Sequence, residues 1–169
     1  MDYSGLLFRA LNPLWARTPL SGEGAARFGG RFNPRGMAAL YTSLKPETAM
    51  REANQVGAFQ PITLVAYRAQ IARVFDATDT PAMASAGLTP DQLADPQWRD
   101  VMLSGQMPPT QRLALRLHEE GYSGLLVPSF APHASAGDRN LVLWQWGDAP
   151  PAMLQLIDDQ QRLSPPARQ

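Results

Sequence analysis

The chain has 169 residues, a length that suits one domain with a single core and room for a ligand pocket. Fifteen basic side chains balance fifteen acidic ones, which argues against a global field for nucleic acid or an anionic membrane, so any anion recognition must be local. The absence of cysteine removes disulfides, zinc–thiolate sites, iron–sulfur clusters and thiol nucleophiles together, and suits a reducing compartment.

Residues 5–11 read as a short strand ended by Asn12-Pro13. Residues 12–36 mix proline, glycine and arginine with a period of neither 2 nor 3.6, which predicts a long ordered loop. A strand over 37–42 is followed by a helix over 46–56, with proline in its first turn and Gly57 just past its end. Strands are expected at 61–68 and 73–76. The stretch 78–109 is rich in Pro, Ala, Asp and Met, with a capped start at Thr89-Pro90 and a helical piece over 98–103. An amphipathic helix over 110–120 carries Leu113, Ala114 and Leu117 on one face and is closed by Gly121. Strands at 123–127 and 140–146 flank a loop containing Ser129 and His133, and the tail after about residue 148 is partly extended. This irregular mixture predicts one α+β domain over 1–169, with a mixed or antiparallel sheet and flanking helices, rather than a doubly wound parallel sheet. No apolar run approaches the ~18–20 residues of a membrane span and no secretory leader is visible, so a soluble, cytoplasmic protein is expected.

Lys45 is the only lysine beside fourteen arginines, so nearly every cation is a planar fork suited to phosphate or carboxylate. The densest cluster runs from Arg27 through Gly29, Gly30, Arg31, Phe32, Asn33 and Pro34 to Arg35. The arginines are spaced by four, but the glycines and proline argue against a helix and place them on a loop. Such a loop fits a small phosphorylated ligand, and a glycine turn with solvated arginines explains it as well. Glu52 flanks the apolar stripe Ala49, Met50, Ala53, Val56 of its helix, so its carboxylate borders packed surface, facing either a cleft or an edge ion pair. Glu47 and Arg51 look like an ordinary exposed pair. Tyr41, at a strand end, can stack on a flat ring or fill core; Ser129 can meet a phosphate or ribose or cap a turn; Arg9 can join a cross-strand ion pair. His118 and His133 show no metal-ligand spacing, and Ser129, His133 and Asp138 crowd one short loop without a nucleophile elbow.

Taken together, Gly29-Gly30-Arg31-Phe32-Asn33-Pro34, Ala39-Leu40-Tyr41-Thr42-Ser43, Glu52, Leu126-Val127-Pro128-Ser129 and Arg139-Asn140-Leu141 resemble the RES-domain family, in the family's order and across most of the chain. Phe32 stands where a tryptophan is common in that family, which keeps an aromatic plane. The resemblance implies an ADP-ribosyltransferase-like fold and the toxin of a toxin–antitoxin pair, with NAD as substrate, no metal, and an Xre-like antitoxin as partner. It gives Arg31 the family arginine, Tyr41 the tyrosine near the nicotinamide, Glu52 the glutamate and Ser129 the serine, with Arg9 matching an arginine of the first strand. Glu52, Arg31 and Tyr41 are then the catalytic set, and Arg9, Arg31, Tyr41 and Ser129 hold NAD. The implied reaction cleaves the nicotinamide–ribose bond and passes ADP-ribose to an acceptor, with a cellular protein favoured over phosphate (NAD phosphorylase) or water (NAD glycohydrolase). A non-catalytic nucleotide-binding module and a ribonuclease are the readings from other classes; balanced charge and the lack of a histidine near the arginine loop disfavour the latter.

Overall fold

A computed structural model describes residues 1–54 and 60–163. Within it the strands are β1 (Tyr3–Leu11), β2 (Leu40–Ser43), β3 (Thr63–Ile71), β4 (Val74–Asp76), β5 (Gly124–Pro128), β6 (Arg139–Leu143) and β7 (Ala152–Leu156). They form a seven-stranded sheet in the order β4-β5-β6-β2-β1-β3-β7. The β4–β5 pair is parallel and the other neighbours are antiparallel, so the sheet is mixed, as the irregular order of elements predicts. β1 and β3 are in register along nine residues, from Tyr3↔Ile71 to Leu11↔Thr63. β1 and β2, by contrast, share the single register pair Phe8↔Ser43. The sheet is thus pinched at its centre, and this is where the site lies.

The helices are α1 (Glu23–Phe28), α2 (Pro46–Ala53), α3 (Thr80–Ser85), α4 (Pro90–Ala94), α5 (Trp98–Leu103) and α6 (Pro109–Glu119), with a 3-10 turn at Pro13–Trp15. Successive residues of β5 and β6 bury on opposite faces, as a period of two requires. Leu126, Leu141 and Leu143 join one cluster with Leu7, Tyr67 and Leu154. Leu125, Val127 and Val142 join the other with Met83, Leu93, Leu113 and Leu117 from the helices. α6 buries Leu113, Ala114 and Leu117, the stripe expected of it. α4 starts on the capping box of Thr89 and Gln92.

Several expectations are corrected. Residues 12–36 contain the 3-10 turn and α1, so Arg27 lies on a helix while Arg31 and Arg35 lie beyond it. A six-residue helix that buries none of its side chains has no stripe for periodicity to detect. The second strand starts at Leu40, and the third runs on to Ile71. The helix expected over 46–56 is described as Pro46–Ala53, and Val56 and Gly57 lie outside the described residues. In α2 the buried residues are Thr48 and Ala49, whereas Met50 and Ala53 are exposed. The middle of the tail is strand β7, against β3.

Candidate active site

A cleft of about 1000 Å³ opens where β1 and β2 part. Arg9 and Leu11 of β1 line one flank, and Tyr41, Thr42 and Ser43 of β2 the other. Ala49, Glu52 and Ala53 line it from α2, Asn140 from β6, and the 3-10 turn and α1 form the facing wall. The side of α2 expected to pack against the core therefore borders this cleft, which is why Glu52 is half-buried without being in the core.

Glu52 is fixed from two strands. Its Oε1 accepts a hydrogen bond from Ser129 Oγ at 2.6 Å and another, also short, from Asn140 Nδ2. Asn140 in turn accepts through Oδ1 from Ser43 Oγ at 2.7 Å, a contact dictated by the Ser43↔Asn140 register. The amide cannot turn over without losing that bond, so its NH2 is held toward the carboxylate. β5 and β6 are in register as Pro128↔Arg139, which delivers Ser129 and Asn140 to the same oxygen. Ser129 thus does more than cap its turn, although its Oγ also accepts from Ala131 N at 3.3 Å.

Next to Glu52 on the helix, Arg51 turns the other way. Instead of pairing with Glu47, it donates to Asp138 Oδ2 at 2.6 Å, while Lys45 reaches Oδ1 at 3.2 Å. Asp138 also accepts from Ser135 N, and its own carbonyl accepts from Ser129 N at 2.9 Å. This latch clips the loop carrying Ser129 to the helix carrying Glu52. The Ser135 N–H is the largest influence holding the Asp138 carboxyl down to about 2, with Lys45 and Arg51 acting in the same sense against the opposing effect of burial. Because the folded value lies below the ordinary 3.8, the latch stabilises the fold fully above about pH 4 and loses that contribution as pH falls toward 2. Asp138→Asn is expected to flatten this part of an acid-unfolding curve followed by circular dichroism; superimposable curves for the two proteins would remove the latch from the account.

The arginine turn is also built from the interior. Gly30 pairs with Asn33 across a tight turn, and a Cβ at Gly30 would lie 2.3 Å from the Tyr41 hydroxyl oxygen. The glycine therefore makes room for Tyr41 rather than for a ligand. Tyr41 OH accepts from Phe32 N at 3.0 Å and donates to Asn33 Oδ1 at 2.7 Å. Burial pushes this hydroxyl upward, so Tyr41 is a neutral phenol. Gln111 Nε2 donates to Gly30 O and Trp144 Nε1 to Phe32 O, tying the turn to α6 and to the chain after β6.

Arg31 projects from that turn, half-buried, its guanidinium 4.5 Å from the Phe130 ring centroid and 5.9 Å from that of Trp98. It donates to Leu93 O at 3.1 Å. Burial lowers its basicity, and the carboxylate of Glu52, then that of Asp95, oppose this. Arg31 is thus electrostatically beside Glu52 but is not one of the residues lining the cleft. The stretch 78–109, which has no counterpart in the resemblance, supplies the Leu93 carbonyl and the Trp98 ring that seat it. Arg9 forms no ion pair among the described residues; it donates to Pro19 O at 3.1 Å and Ser21 O at 3.3 Å while facing the cleft.

Tyr41, Glu52 and Arg9 thus share the cleft, with Ser129 and Arg31 set around Glu52. Asn140 and Asn33 are the site residues to which the residue patterns assign no role. A polar amide preceding the apolar run 141–143 in a strand was the available signal for Asn140. Among the described residues no three His, Asp or Glu side chains gather as a metal site would require, and no helix is long and apolar enough to cross a membrane.

The profile of the RES domain matches residues 6–165. The chain belongs to the RES-domain family. Among solved structures, a chain in the crystal structure of the M. tuberculosis MbcT–MbcA toxin–antitoxin complex is similar to this RES domain, with a TM-score of 0.64 and 26% identity, over 94% of this chain and 84% of that one. No curated protein matches the sequence.

Proposed function

We propose that this RES domain is the toxin of a toxin–antitoxin pair and that it cleaves the nicotinamide–ribose bond of NAD, passing ADP-ribose to an acceptor. The observation carrying this reading is the acid of α2, held by two donors at the wall of a cleft of dinucleotide size. The similarity to a chain of a toxin–antitoxin complex supports the toxin assignment and an antitoxin partner, which we take to be Xre-like.

The chemistry suits these residue types. Nicotinamide leaves its ribosyl bond as a neutral molecule, carrying the bonding electron pair onto its ring nitrogen, so departure needs no strong acid. The difficulty is the oxocarbenium charge left on the ribose. The Glu52 carboxylate beside that ribose stabilises the charge as it develops. Its orientation is set before substrate arrives, because Ser129 and Asn140 hold Oε1 in place. Tyr41 borders the nicotinamide, Arg9 and Arg31 clamp the pyrophosphate or nearby ribose, and Ser129 adds a hydroxyl toward the sugar. An acceptor nucleophile then forms a bond to the ribosyl carbon and gives up its proton; we favour a protein side chain.

Incubation with adenine-labelled NAD and a cell lysate tests the reading. Label on a protein band supports transfer to protein, whereas label on a phosphorylated small molecule or on free ADP-ribose names phosphate or water; intact NAD would overturn the reaction. Asn140→Ala is expected to lower kcat for nicotinamide release about 10- to 100-fold with little change in KM, since a hydrogen bond to a charged group is worth ~1.5–3 kcal/mol. Ser43→Ala should act in the same direction by about 5-fold, through loss of the neutral bond that orients the amide. A rise in KM alone would place Asn140 in substrate binding instead.

A further inference from the structure

Arg31 is held in place while most of its donors are left over. A guanidinium presents its N–H groups as a planar fork, and among the described residues this one uses a single hydrogen bond, from Nη1 to Leu93 O. The rest of its hold comes from rings. The Phe130 centroid lies 4.5 Å from the guanidinium carbon and the Trp98 centroid 5.9 Å. Attraction to a ring face takes up no N–H group, so a cation seated in this way stays free to bind an anion.

The two rings rest on different foundations. Phe130 directly follows Ser129 and leans on the buried Phe32 ring, 6.2 Å away. Phe32 is pinned on both sides, its N–H by the Tyr41 hydroxyl and its carbonyl by Trp144 Nε1. Phe32 therefore braces the seat, and Phe130 is its inner face. Trp98 is the outer face, on α5, a helix that buries none of its residues. Its indole carries a second cation, Arg99, 5.2 Å from the centroid. Neither ring lines the cleft, and Arg31 itself is set back from the lining residues. A side chain set back in this way reaches a ligand only in the direction its seat allows.

We infer that Phe130 and Trp98 are positioning residues, which fix the direction in which the free edge of Arg31 meets the anionic part of the substrate. Phe130 acts from the core, and Trp98 from the stretch 78–109, which thereby gains a part in substrate affinity. For its role in turnover this rests on the NAD reading, in which Arg31 clamps the pyrophosphate or nearby ribose.

Nicotinamide release at varied NAD concentration tests the inference in Phe130→Leu and Trp98→Leu, which keep an apolar side chain and remove the ring. Each is expected to raise KM about 2- to 30-fold, the range of one cation–π contact, with kcat little changed. That split is the reverse of the one expected for Asn140→Ala. Phe130→Tyr and Trp98→Phe, which keep a ring, should return KM to near the wild-type value. In an Arg31→Ala background the same leucine substitutions should raise KM no further, because a residue that acts through Arg31 has nothing left to orient. Unchanged KM in the leucine variants, or a full-sized effect in the Arg31→Ala background, overturns the positioning role. Inorganic pyrophosphate, titrated while the Arg31 Nε–H resonance is followed, reads the seat without turnover. The midpoint should rise about 2- to 30-fold in each leucine variant; equal midpoints, or no response in the wild type, count against the seat. Nicotinamide release without ring dependence removes the seat and leaves the reaction. A ring-dependent pyrophosphate response without release leaves the seat and removes the reaction.

Discussion

Glu52→Gln is expected to lower nicotinamide release from NAD by about 10²- to 10³-fold while leaving the melting temperature nearly unchanged. The amide oxygen of glutamine can still accept from Ser129 Oγ and Asn140 Nδ2, so the two-donor arrangement around the side chain survives. On the proposed reaction, what disappears is the negative charge facing the ribosyl cation, and a preorganised electrostatic group of this kind lowers the barrier by roughly 3–4 kcal/mol. Expression of the variant in cells should be tolerated at levels where the wild type arrests growth. A variant that turns over NAD at the wild-type rate, at equal soluble concentration, would remove the carboxylate from the chemistry and leave it a structural acceptor for two strands.

The largest loss of stability is expected from Asn33→Ala. Asn33 is fully buried, and its Nδ2 donates to Ala25 O and Met37 O at 2.9 Å each and, more distantly, to Pro34 O at 3.3 Å. Its Oδ1 takes the Tyr41 hydroxyl. Truncation takes a donor from the Ala25 and Met37 carbonyls and the acceptor from the Tyr41 hydroxyl, although Ala25 O keeps Gly29 N and Tyr41 keeps Phe32 N, at roughly 1–3 kcal/mol for each group left short. A total of about 3–5 kcal/mol is expected, which for a domain of this size lowers the melting temperature by about 10 °C. Asn33→Asp should be no better, because a carboxylate has no hydrogens to offer the two carbonyls. Thermal unfolding followed by circular dichroism reads both; a shift under about 2 °C would mean that water enters and replaces the amide. Loss of Asn33 also leaves Tyr41 with the Phe32 N–H as its remaining hydroxyl partner, so activity should fall even at temperatures where the variant stays folded.

What the sequence makes legible here is local and periodic. α6 and α5 announce themselves by a 3.6-residue stripe or a compact apolar piece, α4 by its Thr-Pro cap, and β5 by an apolar run bounded by turn residues. α1 and α3 escape because their glycine, alanine and serine residues leave them without the compact apolar run that Trp98, Val101, Met102 and Leu103 give α5. Arg51 illustrates the second blind spot. Its spacing from Glu47 suggests an i,i+4 pair, but its partner is 87 residues away, and a buried carboxylate outbids an exposed neighbour. The candidate site falls between these cases. The position of Glu52 beside an apolar stripe marks it as unusual, and the family resemblance names Arg31, Tyr41 and Ser129 around it. That Asn140 closes the arrangement, and that Gly30 is small for the sake of Tyr41, are facts of strand register and close approach, to which spacing along the chain is blind.

The threading of the acid's partners through the chain has a further consequence. Asn140 follows Glu52 by 88 residues. At ~5–20 residues per second of synthesis, a growing polypeptide spends about 4–18 s with its acid made and its second anchoring amide not yet translated. Until that stretch is translated the carboxylate lacks the amide that orients it, a delay written into strand order alone.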